Sequence, residues 1–221
     1  MANFFKAIAR RLVVPFYSEA QPDIVPTTNH RGDLIVAQAL PERSELVRLG
    51  NSWGAQIPTG SAFTFVNAWP TTRAELVLSN AEATGGLPYI IDRVWMTNIT
   101  SQAAAQPFTM LGQLNPAVNA IAAGTNNAAI LRQSLSGKIA TYNGNARLLV
   151  ANTAFALTNQ WFSMGTAAVS PMTTNLGNTA EAFVFGRYIV PPGAQFCVAG
   201  LAGTAAGTAI CGIEWHEVLL P

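Results

Sequence analysis

The residues best suited by type and spacing to catalysis lie near the C-terminus, in the segment Glu214-Trp215-His216-Glu217. Alternate side chains of a β-strand point to the same face, so a strand here would place Glu214 beside His216. A carboxylate next to an imidazole can orient it as a general base. No convincing nucleophile accompanies this pair, however, and the thiols fall on the opposite alternation. We therefore interpret the pair as a strand-end ion pair and predict that the protein is not an enzyme.

Metal and phosphate sites also lack the residues that they need. The chain has 2 histidines and 2 cysteines, and they do not approach Cys-x-x-Cys or His-x-His spacing. The glycine-rich segment 200–208 contains no lysine that would contact a phosphate, and it does not lead into a helical pattern. The sequence accordingly predicts no catalytic, cofactor or metal site.

The elements around these residues read as β-strands. Three successive strands are predicted at the end of the chain, over residues 183–190, 194–199 and 208–220. In the last of them Cys211, Ile213 and Trp215 share one face, which should be the core face. If the last two strands formed a hairpin centred on Thr204, Cys197 would lie opposite Cys211 and a disulfide would be possible. Buried free thiols are the alternative that we favour, because cysteine is commonly a small core residue.

Earlier strands are predicted where segments rich in apolar or aromatic residues are bounded by turn-forming residues, over 63–69, 72–79, 89–97, 146–151 and 155–164. In the second of these, Leu76 and Leu78 face one way and Arg73 and Glu75 the other, which is typical of a half-buried strand. Short strands without helix–strand alternation or a fixed repeat predict an all-β fold. We expect a jelly-roll-like antiparallel β-sandwich over residues 61–221.

Residues 1–60 differ from this pattern and are predicted to form an extended N-terminal arm punctuated by prolines. Phe4, Phe5, Ile8 and Leu12 recur at helical spacing, so a short amphipathic helix is expected over residues 3–13. Its apolar face would either bind a partner surface or a membrane interface, or pack on the arm's own domain.

The composition indicates assembly. Charged residues make up 10% of the chain, well below the roughly one quarter of ordinary soluble domains. Soluble monomers normally use charge for solubility, so a charge-poor chain suggests that other protein covers much of its surface. A net charge of +1 gives no reason to expect nucleic acid or an anionic membrane as a partner. We expect self-association as a homotrimer, with contacts in the uncharged segments 97–131 and 148–180.

The proline-punctuated arm, the charge-free Ala/Asn/Thr/Gly segments and the ending from Val190-Pro191-Pro192-Gly193 to Trp215-His216-Glu217 resemble structural proteins of tailed bacteriophage particles. The likeness is strongest to jelly-roll proteins that cement or decorate capsids. It implies a virion protein, assembled in the host cytoplasm, that clamps neighbouring major capsid subunits as a trimer. Phe4, Phe5, Ile8 and Leu12 would then make the capsid contact. The alternatives are a tail-fibre module that binds a receptor or glycan, and a single-jelly-roll major coat protein.

Overall fold

The structure is a computed structural model, and it describes residues 46–47, 50–58, 61–100, 106–116, 130–132, 142, 144–152, 160–169, 178–203 and 207–217. All of these lie in Arg43–Pro221, the second of two units into which the chain divides. Phe4, Phe5, Ile8, Leu12 and the rest of the predicted arm up to residue 45 lie outside the described residues.

Eleven strands occupy most of the described residues. They are β1 Ser52–Gln56, β2 Phe63–Thr64, β3 Ala74–Asn80, β4 Tyr89–Asn98, β5 Gln106–Pro116, β6 Ile130–Arg132, β7 Ala146–Asn152, β8 Phe162–Val169, β9 Thr179–Val190, β10 Ala194–Ala202 and β11 Thr208–Glu217. One sheet has the order β6-β1-β11-β4-β9, with β2 also paired to β11. The other has the order β7-β3-β10-β5-β8, and the strands pair antiparallel throughout both sheets.

This strand order is that of a jelly roll. From β3 to β5, and again from β8 to β11, each strand of the chain lies in the opposite sheet from the one before it. The result is two packed four-stranded halves, β1-β11-β4-β9 and β3-β10-β5-β8, with β6 and β7 added at their edges. The predicted jelly-roll-like β-sandwich is therefore confirmed.

The core lies between the two sheets. Its largest fully buried side chains include Trp215, Tyr89, Phe65, Phe108 and Phe196, which come from both sheets and from the residue after β2. The predicted alternation in β11 is confirmed, because Cys211, Ile213 and Trp215 are all 0% exposed and belong to this core. Facing side chains of two such sheets interdigitate, and their burial is the main source of stability.

Strand β3 is buried on both faces, so the prediction of a half-buried strand is wrong. All seven of its residues are buried, including Glu75, which is 1% exposed. The face opposite the core holds a second small apolar cluster in which Val77 and Cys197 pack with partly buried Trp161. A carboxylate persists there because Arg73 donates to it at 2.8 Å. In the sequence, these two charged residues indicated a strand face that is exposed to solvent.

The two cysteines lie in different sheets. Cys197 on β10 is opposite Val77 and Gln113, whereas Cys211 on β11 is opposite Met96. The hypothetical β10–β11 hairpin and its disulfide are therefore wrong, since the chain crosses from one sheet to the other between these strands. Both thiols are free and buried, as the favoured alternative predicted.

The sandwich begins before residue 61. Strand β1 lies within the range predicted as arm, and it pairs with β11 through Trp53 opposite Trp215. Five residues between polar neighbours and a proline are too few to show a strand period. The strand predicted over 63–69 is also shorter, since β2 ends at Thr64 and Trp69 is 57% exposed.

Candidate functional site

The structure gives the predicted Glu214–His216 pair different partners. Both side chains alternate with the core residues of β11 and so lie on the outer face of the sheet. His216 Nδ1 donates to Asp92 Oδ2 at 2.8 Å, and both side chains are about one-tenth exposed. Glu214 instead accepts from Arg93 Nη1 at 2.8 Å. The carboxylate that orients the imidazole therefore comes from β4, 124 positions away in the chain.

Asp92 reaches His216 because β4 bulges at this residue. In the β4–β11 ladder Ile91 is opposite Trp215 and Arg93 is opposite Glu214, so Asp92 is the extra residue on β4. The β4–β9 ladder shifts at the same place. A bulge re-aims the side chain of its extra residue, and no local sequence signal marked this one.

Neither thiol supplies a nucleophile for this pair. Cys211 lies inside the core, and burial raises its pKa well above the ordinary thiol value. Burial likewise raises the pKa of Cys197 to about 12. A nucleophilic cysteine needs a lowered pKa, because the thiolate is the reactive form. Within the described ranges, His, Cys, Asp and Glu residues form no group of three or more that could hold a metal ion, and no helix is long and apolar enough to cross a membrane.

Glu217 belongs to a buried polar cluster inside one end of the sandwich. Its Oε1 accepts from Tyr142 Oη at 2.9 Å and from Trp215 Nε1 at 3.1 Å. The Tyr142 hydroxyl also accepts the Ala146 N–H at 2.8 Å, and its ring packs edge-on against Trp53 with centroids 4.8 Å apart. Burial raises the pKa of the Glu217 carboxyl. The cluster therefore links β11 to β7 and β1 at this end of the sandwich and is expected to stabilise the fold.

The surface with the clearest capacity for an interaction lies where β8 and β9 meet, since each ends the strand order of its sheet. Of the five exposed large hydrophobic side chains in the described part of the chain, four lie on these two strands: Phe162 (50%), Phe183 (57%), Phe185 (62%) and Ile189 (37%). We call these four residues the aromatic edge. Exposed apolar patches commonly mark sites of protein association.

Strand β9 is interrupted so that Phe185 is presented outward. Ile91 of β4 is opposite Tyr188 and Arg93 is opposite Phe183, so four residues of β9, from Val184 to Arg187, face only one of β4. Phe185 and Gly186 have φ values of 46° and 78°, the signs found at the two central positions of a type I′ turn. A positive φ is costly for a phenylalanine, and such strain is concentrated at functional positions.

Charged residues flank the aromatic edge on the same face. Arg93 donates through Nε to Glu181 and through Nη1 to Glu214, and its guanidinium lies 5.6 Å from the centroid of the Phe183 ring. The Phe183 and Phe185 rings are stacked, with centroids 5.7 Å apart. Aromatic residues and arginine are the types enriched at the centres of protein interfaces.

This surface was not predicted from the sequence. Phe4, Phe5, Ile8 and Leu12, the predicted contact residues, lie outside the described residues. The predicted trimer segment 148–180 contains Phe162 of the aromatic edge, whereas the described part of 97–131 consists mainly of β5, an inner strand of its sheet. The only available signal was that residues 181, 183, 185 and 187 share one alternation, and the bulge that lifts Phe185 cannot be read from it.

No protein-family model and no curated protein matches this chain. Among solved structures, the chain is similar at 9% sequence identity to a chain of the full particle of Israeli acute paralysis virus after heating. The match covers 94% of this chain and 84% of that chain, with a TM-score of 0.22. A likeness this low does not carry the fold assignment, which stands on the strand order described above.

Proposed function

We propose that this protein is a non-enzymatic structural protein of a virus particle. The observation that carries the proposal is a jelly roll in which three of the four exposed aromatic side chains of the described residues lie on one edge. Jelly rolls form viral capsid domains as well as lectins and cupins. The cupin alternative is disfavoured because its metal site takes several histidines on strands, and this chain has only 2. An aromatic edge suits the dry, repeated contacts of an assembled shell.

In its finer form, the proposal is a cement or decoration protein on the capsid of a tailed bacteriophage. Homotrimers would sit over junctions between major capsid subunits, and the N-terminal arm would contact the shell through Phe4, Phe5, Ile8 and Leu12. The low charge content supports burial of much of the surface in such an assembly. Nucleic acid and membrane are not among the proposed partners, and the location is the virion, assembled in the host cytoplasm.

The test of the cement role compares the full chain with a variant lacking residues 1–25. Both are mixed with undecorated capsids and sedimented, and the bound protein is measured. We expect the full chain to sediment with capsids and the variant to stay in solution, folded and with the same number of subunits as the full chain, shown by circular dichroism and light scattering. Equal binding of both proteins would remove the arm from the mechanism. Absence of binding by the full chain would overturn the cement role.

A single-jelly-roll major coat protein is the second candidate, and the complete two-sheet strand order favours it specifically. A coat protein assembles without a pre-existing shell. Electron microscopy of the protein expressed alone separates the candidates, because closed particles would favour the coat protein and discrete trimers the cement protein. Binding of the isolated protein to a glycan array would instead favour a receptor-binding module.

A further inference from the structure

Four exposed residues stand at alternate positions of the β9 sequence, and we call them the β9 row: Glu181, Phe183, Phe185 and Arg187. All four are exposed, whereas Val184 between them is buried. The row therefore has an acidic end, two stacked aromatic rings in the middle and a basic end. The basic residue, Arg187, makes no ion pair within the part of the chain that the structure describes.

We propose that the β9 row binds the β9 row of a second copy of this chain about a two-fold axis. An axis passing between Phe183 and Phe185 exchanges positions 181 and 187. Glu181 of each copy then lies beside Arg187 of the other, and the two pairs of rings meet at the centre. A two-fold contact requires such a self-complementary patch, in which each end meets the opposite end.

The charges around the row agree with this arrangement. At the acidic end Arg93 contacts both Glu181 and Glu214, so one positive and two negative groups leave a net charge of −1. At the basic end Arg187 supplies +1. An unrelated partner would have to match both ends separately, whereas a second copy matches them by symmetry alone. Charge complementarity of this kind fixes the register of an interface more than its affinity.

The contact is made by side chains and does not add a strand to the sheet. The outer edge of β9 is interrupted from Val184 to Arg187, where Phe185 and Gly186 have positive φ. A bulged edge cannot continue a regular ladder with a neighbouring strand, and proteins use such interruptions to prevent edge-to-edge pairing. The exposed aromatic rings thus become the principal contact, in the central position where hot-spot residues occur.

The test uses charge reversal at the two ends of the row. E181R and R187E are prepared separately, and the mass of each is measured by light scattering at protein concentrations from about 1 to 100 µM, a range that brackets a micromolar association. We expect the wild-type mass to be an even multiple of the monomer mass. Each single variant replaces two attractive contacts by two repulsive ones, so association should weaken by roughly tenfold and the mass should fall by half.

Mixing the two variants separates loss of the contact from loss of the fold. In a pair made of one E181R chain and one R187E chain, opposite charges meet at both ends, so the mixture should regain the wild-type mass. F185S, which removes a central ring, should weaken association by roughly thirtyfold and should not be rescued by mixing. A wild type that is monomeric throughout the concentration range, or variants whose mass equals that of the wild type, would overturn the proposal. So would single variants that dissociate alone and stay dissociated when mixed.

This contact does not depend on the proposed function, because a two-fold pair would form in solution whether or not the protein belongs to a virus particle. Failure of the mass experiment would remove the β9 contact and leave the capsid-binding experiment unaffected. Failure of capsid binding would likewise leave the two-fold pair standing.

Discussion

Tyr142→Phe is expected to destabilise the sandwich because, besides the Tyr89 hydroxyl at 3.5 Å, the hydroxyl that it removes has two buried partners. It donates to Glu217 Oε1 at 2.9 Å and accepts the Ala146 N–H at 2.8 Å, and the residue is 5% exposed. Phenylalanine fills nearly the same volume, so the packing against Trp53 is retained. The variant therefore leaves the Ala146 N–H without an acceptor and the Tyr89 hydroxyl without its partner, whereas Glu217 keeps the Trp215 indole as a donor.

Each buried polar group left unpaired costs about 1–3 kcal/mol, so the expected loss in the free energy of unfolding is about 2–5 kcal/mol. For a chain of this size each kcal/mol lowers Tm by about 2–4 °C, which gives a fall of roughly 5–20 °C. The assay is urea and thermal unfolding followed by tryptophan fluorescence. Tyr188→Phe is the matched control, because the Tyr188 ring packs on Phe196 but its hydroxyl makes no hydrogen bond among the described residues.

Two results would refute this reasoning. One is a Tyr142→Phe protein within about 0.5 kcal/mol of wild type, the range of ordinary surface substitutions. The other is an equal loss in Tyr142→Phe and Tyr188→Phe, since the cost would then come from removing any tyrosine hydroxyl and not from the buried cluster.

Three further predictions concern backbone freedom, packing and pH. Gly186→Ala should lower the free energy of unfolding in urea more than Gly193→Ala does. Both glycines have a positive φ, which costs an alanine about 1–2 kcal/mol, but only the methyl group at position 186 would contact a side chain, at 3.2 Å. Gly200→Ala should cost about 1–3 kcal/mol because its methyl would lie 2.9 Å from two core rings, whereas Gly165→Ala, with nothing nearer than 3.5 Å, should be neutral or stabilising by up to about 1 kcal/mol. Burial raises the pKa of Glu217 above its ordinary value of 4.5, so the folded protein keeps a proton that the unfolded chain releases; stability should fall as pH rises through 4.5 and level off above the folded pKa. Glu217→Gln should reduce this slope, and an unchanged slope would contradict the assignment.

The sequence predicted the fold better than the pairing of its strands. The period-2 pattern in β11 was read correctly because one face of that strand lies in the core, and the pattern is local. The separation of Cys197 from Cys211 into different sheets is not local, since adjacent strands of a jelly roll cross between sheets where a hairpin would keep them together. Glu75 was misjudged for a related reason, because what covers a strand's second face comes from distant parts of the chain.

The candidate surface was harder to predict than the core. Phe183 and Phe185 look like interior residues in a sequence because phenylalanine is usually buried. Phe183 is exposed at a regular ladder position opposite Arg93, whereas Phe185 is one of the extra residues of β9 opposite Asp92, and that register depends on both ladders of β4. The Asp92–His216 contact arises from the same bulge. The exposure of Phe185 and the Asp92–His216 contact, neither of which was predicted from the sequence, thus both arise from the register shift at Asp92.

A two-fold contact on β9 would also distinguish the two candidate functions. A cement trimer needs only a three-fold contact with itself, because the underlying shell supplies the lattice. A coat protein must build that lattice, and a two-fold contact that joins trimers related by a separate three-fold contact extends the assembly beyond a single ring. If the β9 row pairs as proposed and the uncharged segments form trimers, this chain holds both contacts and should assemble alone. If the E181R variant keeps its trimers but no longer forms closed particles, this protein builds the shell itself. If the wild type forms trimers and no even-numbered species, a partner protein builds the shell.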